Sequence, residues 1–214
     1  MPDEKSSLPA YRTLSEEGSA ELVEKKSRFL AFARPCTSED EARAVLEAAG
    51  KEYWDASHAC YAFIIGKENP TERFSDAGEP QGTAGRPILD VLRGAGVTDT
   101  LICVIRYFGG TLLGTGGLVR AYTQAAQEAV QAAGLSEMTR CAVLLLDMDY
   151  GLYNPVKYYI GEQNLRVEEE NFAEKVSILL VVREEAEEKI RAELMELSAG
   201  RIGIEVCAYG DFAV

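Results

Sequence analysis

Histidine occurs once in this chain, cysteines never come in closely spaced pairs, and no apolar run approaches the ~20 residues of a membrane-crossing helix. A lone His58 cannot build the paired-imidazole sites of most catalytic or structural zinc centres. The five cysteines, at 36, 60, 103, 141 and 207, are odd in number and contain no C-x-x-C, which suits free thiols in a reducing compartment and not a disulfide framework. The opening MPDEKSSLPAYRT has no basic stretch followed by an apolar one, so we expect no signal peptide and a cytoplasmic protein with no membrane partner. Positive charge is also scarce. Lys and Arg number 22 against 35 Asp and Glu, a net charge of −13. The deficit is +14 against −19 through Ser136 and +8 against −16 beyond it. A field of that sign repels phosphate at long range, so any contact with nucleic acid has to come from a local basic patch.

What is present is ordinary for a globular chain: 47% hydrophobic and 27% charged residues over 214 positions, enough for one large or two small domains. Residues 19–26 and 28–34 read as strands, the second carrying Phe29, Ala31 and Ala33 on one side and Leu30 and Phe32 on the other. Ser38 and Glu41 form a capping-box pattern, and Ala42, Val45, Leu46, Ala49 and Tyr53 follow at helical spacing. Trp54 is expected in the core. Strand 58–65, a turn at 66–70, a return strand 71–75, a Gly/Pro loop 76–87 and a short helix 87–93 come next. Strand 100–107 precedes a long helix whose apolar stripe runs from Leu118 to Ala133 and stops at Gly134.

From Arg140 the order becomes strand 140–149, helix 153–163, strands 165–170 and 174–182, helix 184–198 and strand 201–209. That is a ferredoxin-like βαββαβ succession, with Ala186, Ile190, Leu194 and Leu197 as the inner stripe of its second helix. We place a domain boundary between 136 and 137, giving domains 1–136 and 137–214 in an α+β fold.

The stretch 73–122 holds ten of the nineteen glycines and five arginines. Strand 100–107 runs through GGTLLGTGG into a helix start, where free N–H groups and the helix dipole favour an anion. The candidate ligand-binding residues are Asp76, Glu79, Arg86, Arg106, Tyr107, Gly109, Gly110, Gly114, Gly116, Gly117 and Arg120. Asp76 and Glu79 could meet to move protons or hold magnesium, or could instead bridge to Arg73, Arg86 or Arg106 and fix their loop. Of Tyr107 and Phe108, strand alternation packs one ring and turns the other outward, where it could stack on a base or peptide. His58 and Cys60 share a strand face without a third catalytic member. No residue is assigned a catalytic role, and no cofactor or metal is expected.

SRF at 27–29, DASHACYAF at 55–63, SDAGEPQGTAGRPIL at 75–89 and VIRYFGGTLLGTGGLVRAY at 104–122 resemble the YigZ/IMPACT family. The resemblance implies a first domain like ribosomal protein S5 domain 2 and a ferredoxin-like second domain similar to late domains of elongation factor G. It also implies a link to translation, since the eukaryotic members regulate the amino-acid-starvation response. Where the family reads SDDGEP this chain has Ala77, and Ala59 stands where a second histidine is usual. We therefore expect a non-catalytic, translation-associated regulator that binds RNA or a translation-associated protein through its Gly/Arg-rich face. The alternative is an enzyme acting on a small phosphorylated ligand or nucleotide held at the 109–117 turn.

Overall fold

The computed structural model describes residues 10–213, and the chain divides into two compact units, Tyr11–Glu137 and a second that begins at Met138. No helix among the described residues is long and apolar enough to cross a membrane.

The first unit is a five-stranded antiparallel sheet in the order β2-β3-β6-β4-β5. Its strands are β2 (Gly18–Glu24), β3 (Ser27–Pro35), β4 (His58–Ile65), β5 (Thr71–Ser75) and β6 (Thr100–Tyr107). The expected alternation of β3 holds: Phe29, Ala31 and Ala33 are fully buried, while Leu30 and Phe32 are half-buried on the other face. Helices α2 (Gly85–Ala95) and α3 (Thr115–Ala133) cover one face of the sheet. Helix α1 (Glu39–Glu52) closes the other, over Cys36, Phe63, Ile65 and Leu101. The apolar stripe foreseen in α3 is the buried stripe observed, and its run of alanines lets the helix lie close on the strands.

Several local expectations needed tertiary correction. Tyr11–Leu14, assigned no element from the sequence pattern, is strand β1, bridged in parallel fashion from Arg12 to Val97. Four residues carry too little periodicity to be seen in sequence. The Ser38 side chain does accept the Glu41 N–H at 3.2 Å, but the Glu41 carboxylate reaches the Thr37 N–H and hydroxyl, one residue beyond the expected capping box. Trp54 is 81% exposed and not in the core; Tyr53 beside it packs on Phe32 instead. Strand 19–26 ends early because Lys25 and Lys26 are the two residues of a tight hairpin turn, both with positive φ, 46° and 69°.

The second unit has strands β7 (Leu135–Met148), β8 (Arg166–Phe172), β9 (Val176–Arg183) and β10 (Gly203–Ala213), with helices α4 (Tyr150–Glu162) and α5 (Glu187–Leu197). Strand order β10-β7-β9-β8, all antiparallel, is the ferredoxin-like arrangement. Leu144, Leu146, Ile178, Leu180 and Val182 point toward Val156, Ile160, Ile190 and Leu194 to form its core. Leu197 is 42% exposed, so the inner stripe of α5 stops at Leu194 and Ile202 completes the packing. Glu187 leaves the acidic opening of α5 to become buried, accepting from the Tyr209 hydroxyl at 2.8 Å and from Arg191.

Candidate nucleic-acid interface

Antiparallel register sets Phe29 of β3, Arg106 of β6 and His58 of β4 abreast on the face that α3 covers. The loop 76–85 then brings Glu79 down onto Arg106. Glu79 Oε1 accepts from Arg106 Nη1 at 2.6 Å and from the Tyr122 hydroxyl of α3 at 2.8 Å, with all three residues at least nine-tenths buried. Arg106 Nη2 donates to Ser27 Oγ at 3.3 Å, and its Nε has no hydrogen-bond partner among the described residues. His58 Nδ1 lies 3.0 Å from the Ala77 carbonyl and its Nε2 lies 3.9 Å from Glu79 Oε2. The Cys60 thiol donates to the Asp76 carbonyl at 3.0 Å with the Tyr122 oxygen 3.4 Å from its sulfur, and does not engage His58. Burial pushes that thiol up to about 12, and burial beside Cys60 and Glu79 pushes the Tyr122 hydroxyl up as well. A thiol so protonated at neutral pH is no nucleophile.

Asp76 has a separate task. Its Oδ1 accepts the Ala84 and Gly85 N–H groups at 3.0 and 2.8 Å, and its Oδ2 accepts that of Gly82 at 2.7 Å. The carboxylate thus fills the anion position at the start of α2, and the helix begins at Gly85, two residues before the expected Pro87. Of the two roles open to the acidic pair in sequence, Glu79 takes the arginine bridge, whereas Asp76 takes neither and accepts backbone amides. The five arginines of 73–120 do not converge. Arg93 pairs with Glu72, Arg86 with Asp90, and Arg106 with Glu79, while Arg73 donates to the Glu72 carbonyl.

Arg86 lies instead at a groove of about 750 Å³ between α2 and α3, whose lining includes neither Arg106 nor residues 109–117. Tyr107 faces the opposite side of the sheet from Arg106, donating its hydroxyl to Asp55 at 3.0 Å beneath the Arg28 guanidinium. Phe108 is the outward ring, 48% exposed.

The glycine-rich turn remains at the surface. Gly109 is the tight point: a Cβ there would lie 2.0 Å from the Lys26 carbonyl carbon, and its N–H donates to Ser27 Oγ at 3.1 Å. Gly110, Gly114 and Gly116 are exposed and Gly117 is half-buried at the start of α3. Gly114 is the N-cap at φ 71°, offering no side-chain cap, and the first turn has no acidic residue. Arg120 is exposed, its Nη1 3.6 Å from where a Cβ on Gly116 would sit. Two helices therefore start near the same sheet, one with an internal anion and one without. Sequence reading missed Ser27, which ties Arg106 to Gly109, and the Lys25–Lys26 turn packed against it; the adjacency of KKSRF to a strand was the available signal.

Among the described residues no cluster of three His, Cys, Asp or Glu side chains is placed to hold a metal.

Comparison with known proteins covers both units. Residues 25–130 match the family described as the Impact N-terminal domain, and residues 146–201 match a domain of unknown function, DUF1949. IMPACT family member YvyE of Bacillus subtilis is 33% identical over 198 residues, covering 92% of this chain and 91% of that one. An IMPACT family member of Haemophilus influenzae is 35% identical, covering 87% and 92%. A crystal structure of a hypothetical protein superposes with a TM-score of 0.60 at 28% identity, over 93% of this chain and 98% of that one.

Proposed function

The chain belongs to the IMPACT family, and on that premise we propose that it is a non-catalytic, translation-associated regulator that binds RNA. The binding face is the turn 109–117 with Arg120, flanked by the Lys25–Lys26 hairpin. One contrast carries the reading. Helix α2 has its dipole end satisfied by Asp76, whereas α3 opens on Gly114 with no capping side chain, no acidic residue and an exposed arginine one turn in. Exposed N–H groups and a guanidinium at one helix start favour a phosphate oxygen. In a chain of net charge −13, this is the local basic exception that binding would require.

A small phosphorylated ligand would use the same amides. The groups that would then move protons or hold magnesium are Asp76 and Glu79, and both are engaged inside the protein. Recognition is therefore favoured over turnover.

The test is a salt titration of RNA binding by the full chain. Arg120→Ala is expected to weaken binding and to lower the slope of log K against log salt by about 1. An Arg120→Ala chain with unchanged affinity and slope removes the reading.

A further inference from the structure

We propose that Phe108 is a stacking platform for one unpaired base of single-stranded RNA, with Lys25 and Lys26 contacting the adjoining phosphates. The proposal rests on the RNA-binding reading of this face and specifies how the strand is held.

A single exposed aromatic ring is ordinary on a protein surface and by itself means little. Phe108 differs in what lies beneath it. The Arg106 guanidinium carbon is 5.6 Å from the Phe108 ring centre and 5.4 Å from that of Phe29, which is fully buried. Phe29 in turn meets Tyr122 edge-on at 5.1 Å. The guanidinium cannot drift away, because Glu79 and Ser27 hold two of its nitrogens. The outer ring thus rests on a cation anchored in the core, and the Phe108 N–H is fixed to Ser57 Oγ at 3.1 Å. A ring held this way gives up little conformational freedom when a base settles on its outer face, and such stacking needs no particular base.

The lysines supply the complementary charge. A two-residue hairpin turn with positive φ at both positions favours Asn-Gly, yet here both positions are lysine, each exposed and each in the left-handed region. Backbone strain that a more suitable residue would relieve points to a use for the side chains. Gly109 packs directly on the Lys26 backbone, so the turn and the Phe108 ring belong to one rigid edge. Phosphate beside an aromatic face describes a single strand; in a duplex the base faces are already stacked on one another and cannot reach a ring on a protein surface.

The experiment is fluorescence anisotropy of the full chain with a labelled oligouridine and, separately, with an RNA duplex of the same length. The variants are Phe108→Leu, which keeps apolar bulk without a flat ring, Phe108→Trp, which restores one, and Lys25→Asn combined with Lys26→Gly. Circular dichroism confirms that each is folded. Expected are tighter binding of the single strand than of the duplex, about tenfold weaker binding by Phe108→Leu, recovery with Phe108→Trp, and a shallower salt dependence for the lysine double variant. Wild-type-like binding by Phe108→Leu, or a preference for duplex, overturns the platform while leaving RNA binding intact. A wild-type chain that binds neither RNA overturns both.

Discussion

Glu79 and Arg106, 27 residues apart, meet at 2.6 Å with side chains only 3% and 5% exposed. Removing one partner of such a pair leaves a charge buried without compensation, which typically costs about 3–5 kcal/mol. Glu79→Ala should destabilise the first unit by that order in urea unfolding. Glu79→Leu combined with Arg106→Met should cost less than Glu79→Ala alone, because no ion remains buried. A double variant at least as unstable as the single one would show that the pair contributes by something other than mutual neutralisation.

Asp76 supports the start of α2 through three backbone N–H groups. Loss of a capping carboxylate costs about 1–2 kcal/mol. Asp76→Ala should lower the melting temperature correspondingly, and Asp76→Asn should recover part of the loss because its amide oxygen can still accept. If Asp76 served a guest instead of the helix, its removal would leave the melting curve unchanged.

The Lys25–Lys26 turn separates stability from binding. Replacing the pair with Asn-Gly puts residues that tolerate positive φ where the backbone already demands it, a relief of about 1–2 kcal/mol per strained position at most. The variant should unfold at a higher denaturant concentration than the parent and bind RNA more weakly. A gain in stability without any loss of binding would assign the lysines to solvent.

Alkaline pH should weaken the fold through its thiols. Burial raises Cys60 and Cys103 from 9.0 to about 12, and Cys36 to about 11. Above pH 9 the unfolded chain loses these protons while the folded chain keeps them, so the native state binds more protons and stability falls as pH rises. The contribution is complete below pH 9 and is lost between pH 9 and 12. Urea midpoints should decline from pH 8 to pH 10.5, and Cys60→Ser should flatten that decline.

The order of elements was legible because it is written in local periodicity. The two-residue alternation of residues 29–33 and the three-to-four spacing of Leu118 to Ala133 are each contained in one short window, and each reappears as the buried face of β3 and α3. Trp54 shows where that reasoning ends: a large apolar side chain beside a helix end is core only if another element arrives to cover it, and among the described residues none does.

The glycines and arginines of 73–122 drew attention to one region of the sheet, but composition could not divide its side chains into inward and outward groups. Strand register set Arg106 on the face that α3 covers, the loop 76–85 brought Glu79 onto it and Asp76 onto the start of α2, and Arg120 stays exposed on α3. The sequence by itself determined the elements and the two-part α+β plan, since hydrophobic spacing is a property of neighbours along the chain. That Arg106 and Glu79 are spent inside was settled only by tertiary contacts between residues 27 to 79 positions apart, because a buried ion is tolerable only where a distant partner closes over it.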